Sequence, residues 1–168
     1  MIKQVLLPIL GVIAFIVVVG MFVNKSTPFD LSKGIMSPTS APSTKNITIG
    51  GKVIQVQIAD TQDKRTKGLS GVSNLDKNSG MLFVFDTKKV SPAFWMKDMI
   101  IPLDMIWISN NKIIKIDKDI PAPASGTPDT KLTVYSPGQP IDYVLEVNAG
   151  FSNLNSLSIG NTVDLSSI

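Results

Sequence analysis

A mainly β domain, an antiparallel sandwich or barrel with one or two short helices, is what this sequence predicts for everything beyond its first 45 residues. Two observations carry the prediction. Short runs of β-branched, aromatic and aliphatic residues recur along the chain, and Pro and Gly separate them at short intervals. The chain has 168 residues, 43% hydrophobic and 17% charged, enough for one domain with a core of its own and too apolar for a disordered chain.

The elements follow in order. Residues 1–4 form a short N-terminus with Lys3, and residues 5–23 are 19 residues without a charge. As a helix that run spans roughly 28 Å, close to the ~30 Å hydrocarbon core of a bilayer. It is longer than the apolar region of a signal peptide and does not end in a small-x-small site, so it reads as an uncleaved transmembrane helix. A short N-terminus before the only span stays inside, which makes the chain a single-pass membrane protein with an extracytoplasmic domain. Residues 24–45 are rich in Ser, Thr and Pro and lack periodicity, so they read as a flexible linker reaching roughly 25 Å.

The β-rich domain is expected over residues 46–168. Ile54, Val56 and Ile58 alternate with Gln55 and Gln57, the pattern of a strand with one buried face. Asp60 or Thr61 caps a short helix over Gln62–Lys67, stopped by Gly68. Met81, Leu82, Phe83, Val84 and Phe85 are continuously apolar, as in a strand buried on both faces. Strands are expected over 94–96, 103–109, 113–120, 132–135, 141–148 and 162–165, with an Asn110-Asn111 turn. Pro121, Pro123, Pro128, Pro137 and Pro140 punctuate the loops.

Composition excludes several functions. The chain contains no Cys and no His, which removes disulfides, thiolate catalysis, Ser-His triads and the common zinc sites. Its net charge of +3 belongs entirely to residues 1–45, because residues 46–168 carry twelve basic and twelve acidic side chains. A domain without a basic footprint is not read as a nucleic-acid binder. No glycine loop has the strand–loop–helix context of a phosphate cradle, no catalytic motif is recognisable, and no cofactor or metal is expected. Met81, Met96, Met99 and Met105 offer thioethers suited to copper(I), but methionine is more often core filler.

The candidate residues come from an asymmetry. Of sixteen basic residues only Arg65 is arginine, and of thirteen acids only Glu146 is glutamate. Lys serves wherever generic charge is enough, so a lone Arg marks a place where a planar fork matters. The two are expected to be ion-pair partners, a biased composition and a shared ligand being the alternatives. Asp104 shares a strand face with Ile106 and Ile108, and a carboxylate among apolar neighbours needs a partner. Asp104 and Glu146 are therefore the two weak candidates for acid–base catalysis. Trp95 beside Lys97 reads either as core packing with a snorkelling lysine or as a ligand platform.

These segments resemble a known family. The pattern comprises residues 58–61 (Ile-Ala-Asp-Thr), Arg65, Gly68-Leu69, Gly80-Met81-Leu82-Phe83-Val84-Phe85, Phe94-Trp95-Met96-Lys97 and Pro102-Leu103-Asp104-Met105. It closes with Tyr143-Val144-Leu145-Glu146-Val147-Asn148-Ala149-Gly150 and Gly160-Asn161-Thr162-Val163. It is similar to domain of unknown function 192, an uncharacterised group of prokaryotic proteins that are often exported or membrane-anchored. The resemblance covers about residues 47–166 and implies a compact β fold of jelly-roll-like character with short helical insertions. It implies no activity, cofactor or partner, but it puts Arg65, Trp95, Lys97, Asp104 and Glu146 in the motif blocks. The chain departs from the family pattern at Asp98-Met99, where a polar residue such as Asn or Thr follows the Trp-Met-Lys, and at Trp107, near which the family tends to have Phe.

The expected function is a membrane-tethered binding or accessory module. Its cleft, lined by Arg65, Trp95, Lys97, Asp104 and Glu146, takes a small polar or cell-envelope ligand. The alternatives are a structural or assembly partner without a small-molecule site, and a hydrolase of envelope material that uses Asp104 and Glu146.

Overall fold

The computed structural model describes residues 43–168. The expected span over 5–23 and nearly all of the linker lie outside the described residues. Within them no helix is long and apolar enough to cross a membrane.

The domain is mainly β, as expected. Strands β1 (Thr44–Ile49) and β2 (Lys52–Ala59) form a hairpin, and helix α1 (Gln62–Lys67) follows. Then come β3 (Ser79–Val84), β4 (Phe94–Trp95), β5 (Leu103–Ser109) and β6 (Lys112–Ile120). A 3₁₀ turn (Asp129–Lys131) leads to β7 (Val134–Tyr135), β8 (Tyr143–Asn148), helix α2 (Phe151–Leu154) and β9 (Val163–Asp164). Strand β1 begins two residues inside the stretch expected to be linker, and α2 was not foreseen.

The strands do not build a purely antiparallel sandwich. Seven of them form one curled sheet in the order β6-β5-β8-β3-β2-β1-β9, and β4 pairs with β7 in a separate small sheet. The β2–β3 pair is parallel. A parallel return needs a crossover rather than a tight turn, and α1 with the loop over residues 68–78 supplies it. The two edges of the large sheet meet at one end. Ile113 N–H donates to the Asn161 carbonyl at 3.0 Å, and Val163 N–H donates to the Asn111 carbonyl at 2.9 Å.

Local chemistry sets the turns. Gly50 and Gly51 connect β1 to β2 with φ of 55° and 83°, the two positive values of a type I′ hairpin turn. Asn110 and Asn111 do the same between β5 and β6, with φ of 50° and 56°. Thr61 caps α1 by accepting from Lys64 N–H at 3.3 Å, and Gly68 ends it at φ 51°.

Strands β3, β5 and β8 are covered on both faces. One face packs Leu82, Ile106, Ile108, Leu145 and Val147 against Ile47, Ile54, Val56 and Phe151. The other packs Met81, Phe83, Met105, Trp107 and Val144 against Leu69, Met96, Met99 and Ile141. All seven residues of β5 are buried, including Asp104. Asp104 is fully satisfied by backbone donors. Its Oδ1 accepts from Asp119 N–H at 2.8 Å and Gly150 N–H at 3.2 Å, and its Oδ2 from Ser152 N–H at 2.8 Å. A β-bulge makes this contact, because Asp119 takes φ 53° where the β5–β6 register slips past Asp104. One carboxylate thus ties β5 to β6 and to the first turn of α2.

Two substitutions at this junction separate its contributions. Asp104→Ala leaves three backbone N–H donors without their acceptor, the Ser152 one buried and the other two part-buried, and is expected to lower unfolding free energy by about 2–4 kcal/mol in urea denaturation. The neighbouring Ser152 hydroxyl is buried without a partner, so Ser152→Ala is expected to be neutral or stabilising, within about 1 kcal/mol of the native chain.

Candidate functional site

A cleft of about 800 Å³ opens on the second core face, between α1 with the turn after it and the segment that carries β4. Arg65 forms one wall. Its Nη1 donates to the carbonyls of Asp60 at 3.0 Å and Val84 at 2.8 Å, and its Nη2 meets Asp86 Oδ2 at 3.2 Å. The guanidinium also lies 5.9 Å from the centre of the Phe85 ring. The fork therefore bonds the start of α1 to the end of β3, which a single ammonium cannot do.

The opposite wall is aromatic. Phe94 stands edge-on to Phe83 at 4.8 Å and to Trp107 at 5.6 Å between ring centroids. Strand alternation then turns Trp95 outward, and it is 55% exposed at the cleft rim. Lys97 is ion-paired with Asp129, and this carboxylate raises the lysine pKa above its ordinary value. Two hydrogen bonds close one end of the cleft. Ser70 Oγ donates to the Lys97 carbonyl at 3.0 Å, and Gly71 N–H donates to the Asp98 carbonyl at 3.0 Å. Asp98 has φ 56°, a left-handed conformation that Asn and Asp tolerate better than other side chains.

Glu146 lies at the floor. The registers place it directly opposite Met81 on β3 and Met105 on β5, so thioethers flank it on both sides. It is 5% exposed and lines the cleft. Among the described residues it has no hydrogen-bond or ion-pair partner. Burial without compensation pushes its carboxyl from 4.5 up to about 8.

The structure thus brings four of the five expected site residues, Arg65, Trp95, Lys97 and Glu146, to one cleft, and separates the fifth. The expected Arg65–Glu146 ion pair is not formed, because the Arg65 fork is taken by Asp60, Val84 and Asp86. The expected Asp104–Glu146 catalytic pair is also not formed. Asp104 is one residue out of register with Glu146's partner Met105, and since side chains alternate, the two carboxylates lie on opposite faces of the sheet. Phe83, Phe85, Asp86 and Asp98 also line the cleft and are not among the expected site residues. Phe83 and Phe85 share one parity of a run apolar throughout, so alternation does not set them apart, and Asp86 has no signal among twelve aspartates. The four methionines all pack in this core. Among the described residues no group of three or more His, Cys, Asp or Glu is placed to hold a metal.

Comparison with known proteins agrees with this fold. The family model DUF192, described as an uncharacterized ACR, matches residues 45–165. A solved structure from Sinorhizobium meliloti 1021, named as a candidate transcription regulator, is 24% identical with a TM-score of 0.66, covering 76% of this chain and 98% of that one. Another, a protein of unknown function from Novosphingobium aromaticivorans DSM 12444, is 25% identical with a TM-score of 0.66, covering 76% and 89%. No curated protein matches the chain.

The empty environment of Glu146 has a measurable consequence. Its folded pKa is raised, so between pH 4.5 and about 8 the unfolded chain is ionised while the folded one holds its proton. The unfolded state binds fewer protons there, and stability falls as pH rises, by at most about 1.4 kcal/mol per pH unit. Glu146→Gln is expected to remove this slope, so that its advantage over the native chain in denaturant melts grows from pH 5 to pH 8. Arg65→Lys keeps the charge but loses the fork, and is expected to cost about 1–2 kcal/mol in the same assay.

Proposed function

This chain belongs to the DUF192 family, and we propose that its domain is a binding or accessory module that takes a small polar ligand, such as a cell-envelope component, into the cleft over Glu146. One observation carries the reading: a carboxyl 5% exposed, without a partner, at the floor of an 800 Å³ cleft. Glu146 is not among the fully enclosed unpartnered groups, so its carboxyl opens on the cleft, and a titratable group shifted by burial in a cleft is a functional-site candidate. The volume falls in the ~300–1,000 Å³ range of small-molecule sites, and an apolar wall with a few convergent polar groups is their usual lining. In this proposal the uncharged run over 5–23 tethers the domain to a membrane as a single-pass anchor, and the linker holds the cleft on the extracytoplasmic side.

A second reading, an assembly partner, is favoured by the exposed apolar pair at the cleft rim. Trp95 and Val134 pair across β4 and β7 and are 55% and 58% exposed. A protein seated on that pair would cover both.

A thermal-shift panel of neutral sugars, amines and carboxylates on the purified chain tests the first reading. At least one class is expected to raise the melting temperature, and Trp95→Ala is expected to abolish that rise without lowering the unliganded melting temperature. A panel without any shift, together with concentration-dependent association that Val134→Asp removes, would put the assembly reading in its place.

A further inference from the structure

The chemistry around Glu146 narrows the ligand class, on the premise that the cleft binds a small molecule. Among the described residues, two of the three cations that line the cleft are ion-paired, and the third, Lys67, is balanced in number by Asp98. From α1 come Arg65, paired with Asp86, and Lys67; from the β4 segment come Lys97, paired with Asp129, and Asp98. On either side of Glu146 stand Met81 and Met105, which carry no charge. An anionic ligand would meet a buried carboxyl at the floor, with Lys67 as the one lining cation outside an ion pair among the described residues. A cationic ligand would have to drive the proton off Glu146 in a low-dielectric floor, in a cleft that Arg65, Lys67 and Lys97 also line. An uncharged ligand needs neither. To it the protonated carboxyl offers one O–H donor and one carbonyl acceptor side by side, the pairing that one hydroxyl or two adjacent hydroxyls satisfy. At the rim the exposed face of Trp95 suits the C–H face of a sugar ring.

We propose that the cleft takes an uncharged, hydroxyl-rich ring compound of the saccharide class, with Glu146 as the neutral hydrogen-bond donor at its floor and Trp95 as its stacking platform. Binding then depends on the carboxyl keeping its proton. Ionisation removes the donor and sets a buried charge against the ligand oxygen, so affinity holds below the carboxyl's pKa of about 8 and falls above it. The Glu146→Gln amide also offers a donor and an acceptor side by side, but does not titrate.

Calorimetric titration of the purified full chain with tetra-N-acetylchitotetraose, which carries no titratable group, at pH 6 and pH 9 tests this. The native chain is expected to bind about tenfold more weakly at pH 9. Glu146→Gln is expected to bind within about threefold of the native chain at pH 6 and equally well at pH 9. Glu146→Leu, which retains the apolar volume, is expected to lose binding at both. Absence of binding at millimolar tetra-N-acetylchitotetraose at pH 6 overturns the saccharide assignment. Spermidine binding more tightly at pH 9 than at pH 6, and not at all to Glu146→Gln, also overturns it in favour of a cationic ligand, while the binding-module reading stands. Failure of every compound in the broader panel removes both.

Discussion

Strands β3, β5 and β8 are packed on both faces, and the cleft reaches them only at Phe83 and Glu146. A packed layer covers each side of them, so any charge on these strands enters a low-dielectric interior, where it must be paired, solvated by backbone dipoles or neutralised by a proton. Two acids meet that constraint in adjacent registers and resolve it differently. Asp104 gathers three backbone N–H groups from β6 and the turn into α2, and so becomes the knot that holds the end of the sheet. Glu146 gathers none and takes up a proton instead.

This division depends on the β5–β8 register. Met105 faces Glu146 and Asp104 faces Val147. A slip of one residue would bring the two acids to the same face, and would also move Leu145 and Val147 out of the first core. Hydrophobic burial therefore fixes the register, and the register fixes which acid is structural and which faces the cleft. Gly80 serves the same end, because a Cβ there would come within 2.5 Å of the Glu146 carbonyl. The tight approach of β3 to β8 that keeps Met81 beside Glu146 requires glycine.

The cleft walls are held by groups that could otherwise have met Glu146. The Arg65 guanidinium is committed to two carbonyls and Asp86, and the Lys97 ammonium to Asp129. Phe94 is locked between two rings, which leaves Trp95 to face outward. The walls are thus satisfied while the floor is not, and preorganisation of that kind lets a ligand bind without first breaking protein contacts.

The β class, the α1 cap, the Asn110-Asn111 turn and the fully buried β3 were legible in the chain, because periodicity, capping and turn chemistry act over a few residues. The singular Arg65 and Glu146 were legible as residues of consequence, since composition marks the places where Lys and Asp do not suffice. Their partners were not. Whether Arg65 meets Glu146 or Asp86, and whether Asp104 shares a face with Glu146, depends on which strands neighbour one another and in what register. The parallel β2–β3 pair, the placement of β8 between β5 and β3, and the bulge at Asp119 decide those matters. They arise from long-range packing of both faces of one curled sheet, which no local pattern encodes. By itself the sequence determined the elements and the unusual side chains, and only the tertiary structure decided which carboxyl would be left without a partner, because burial and satisfaction are properties of neighbours in space.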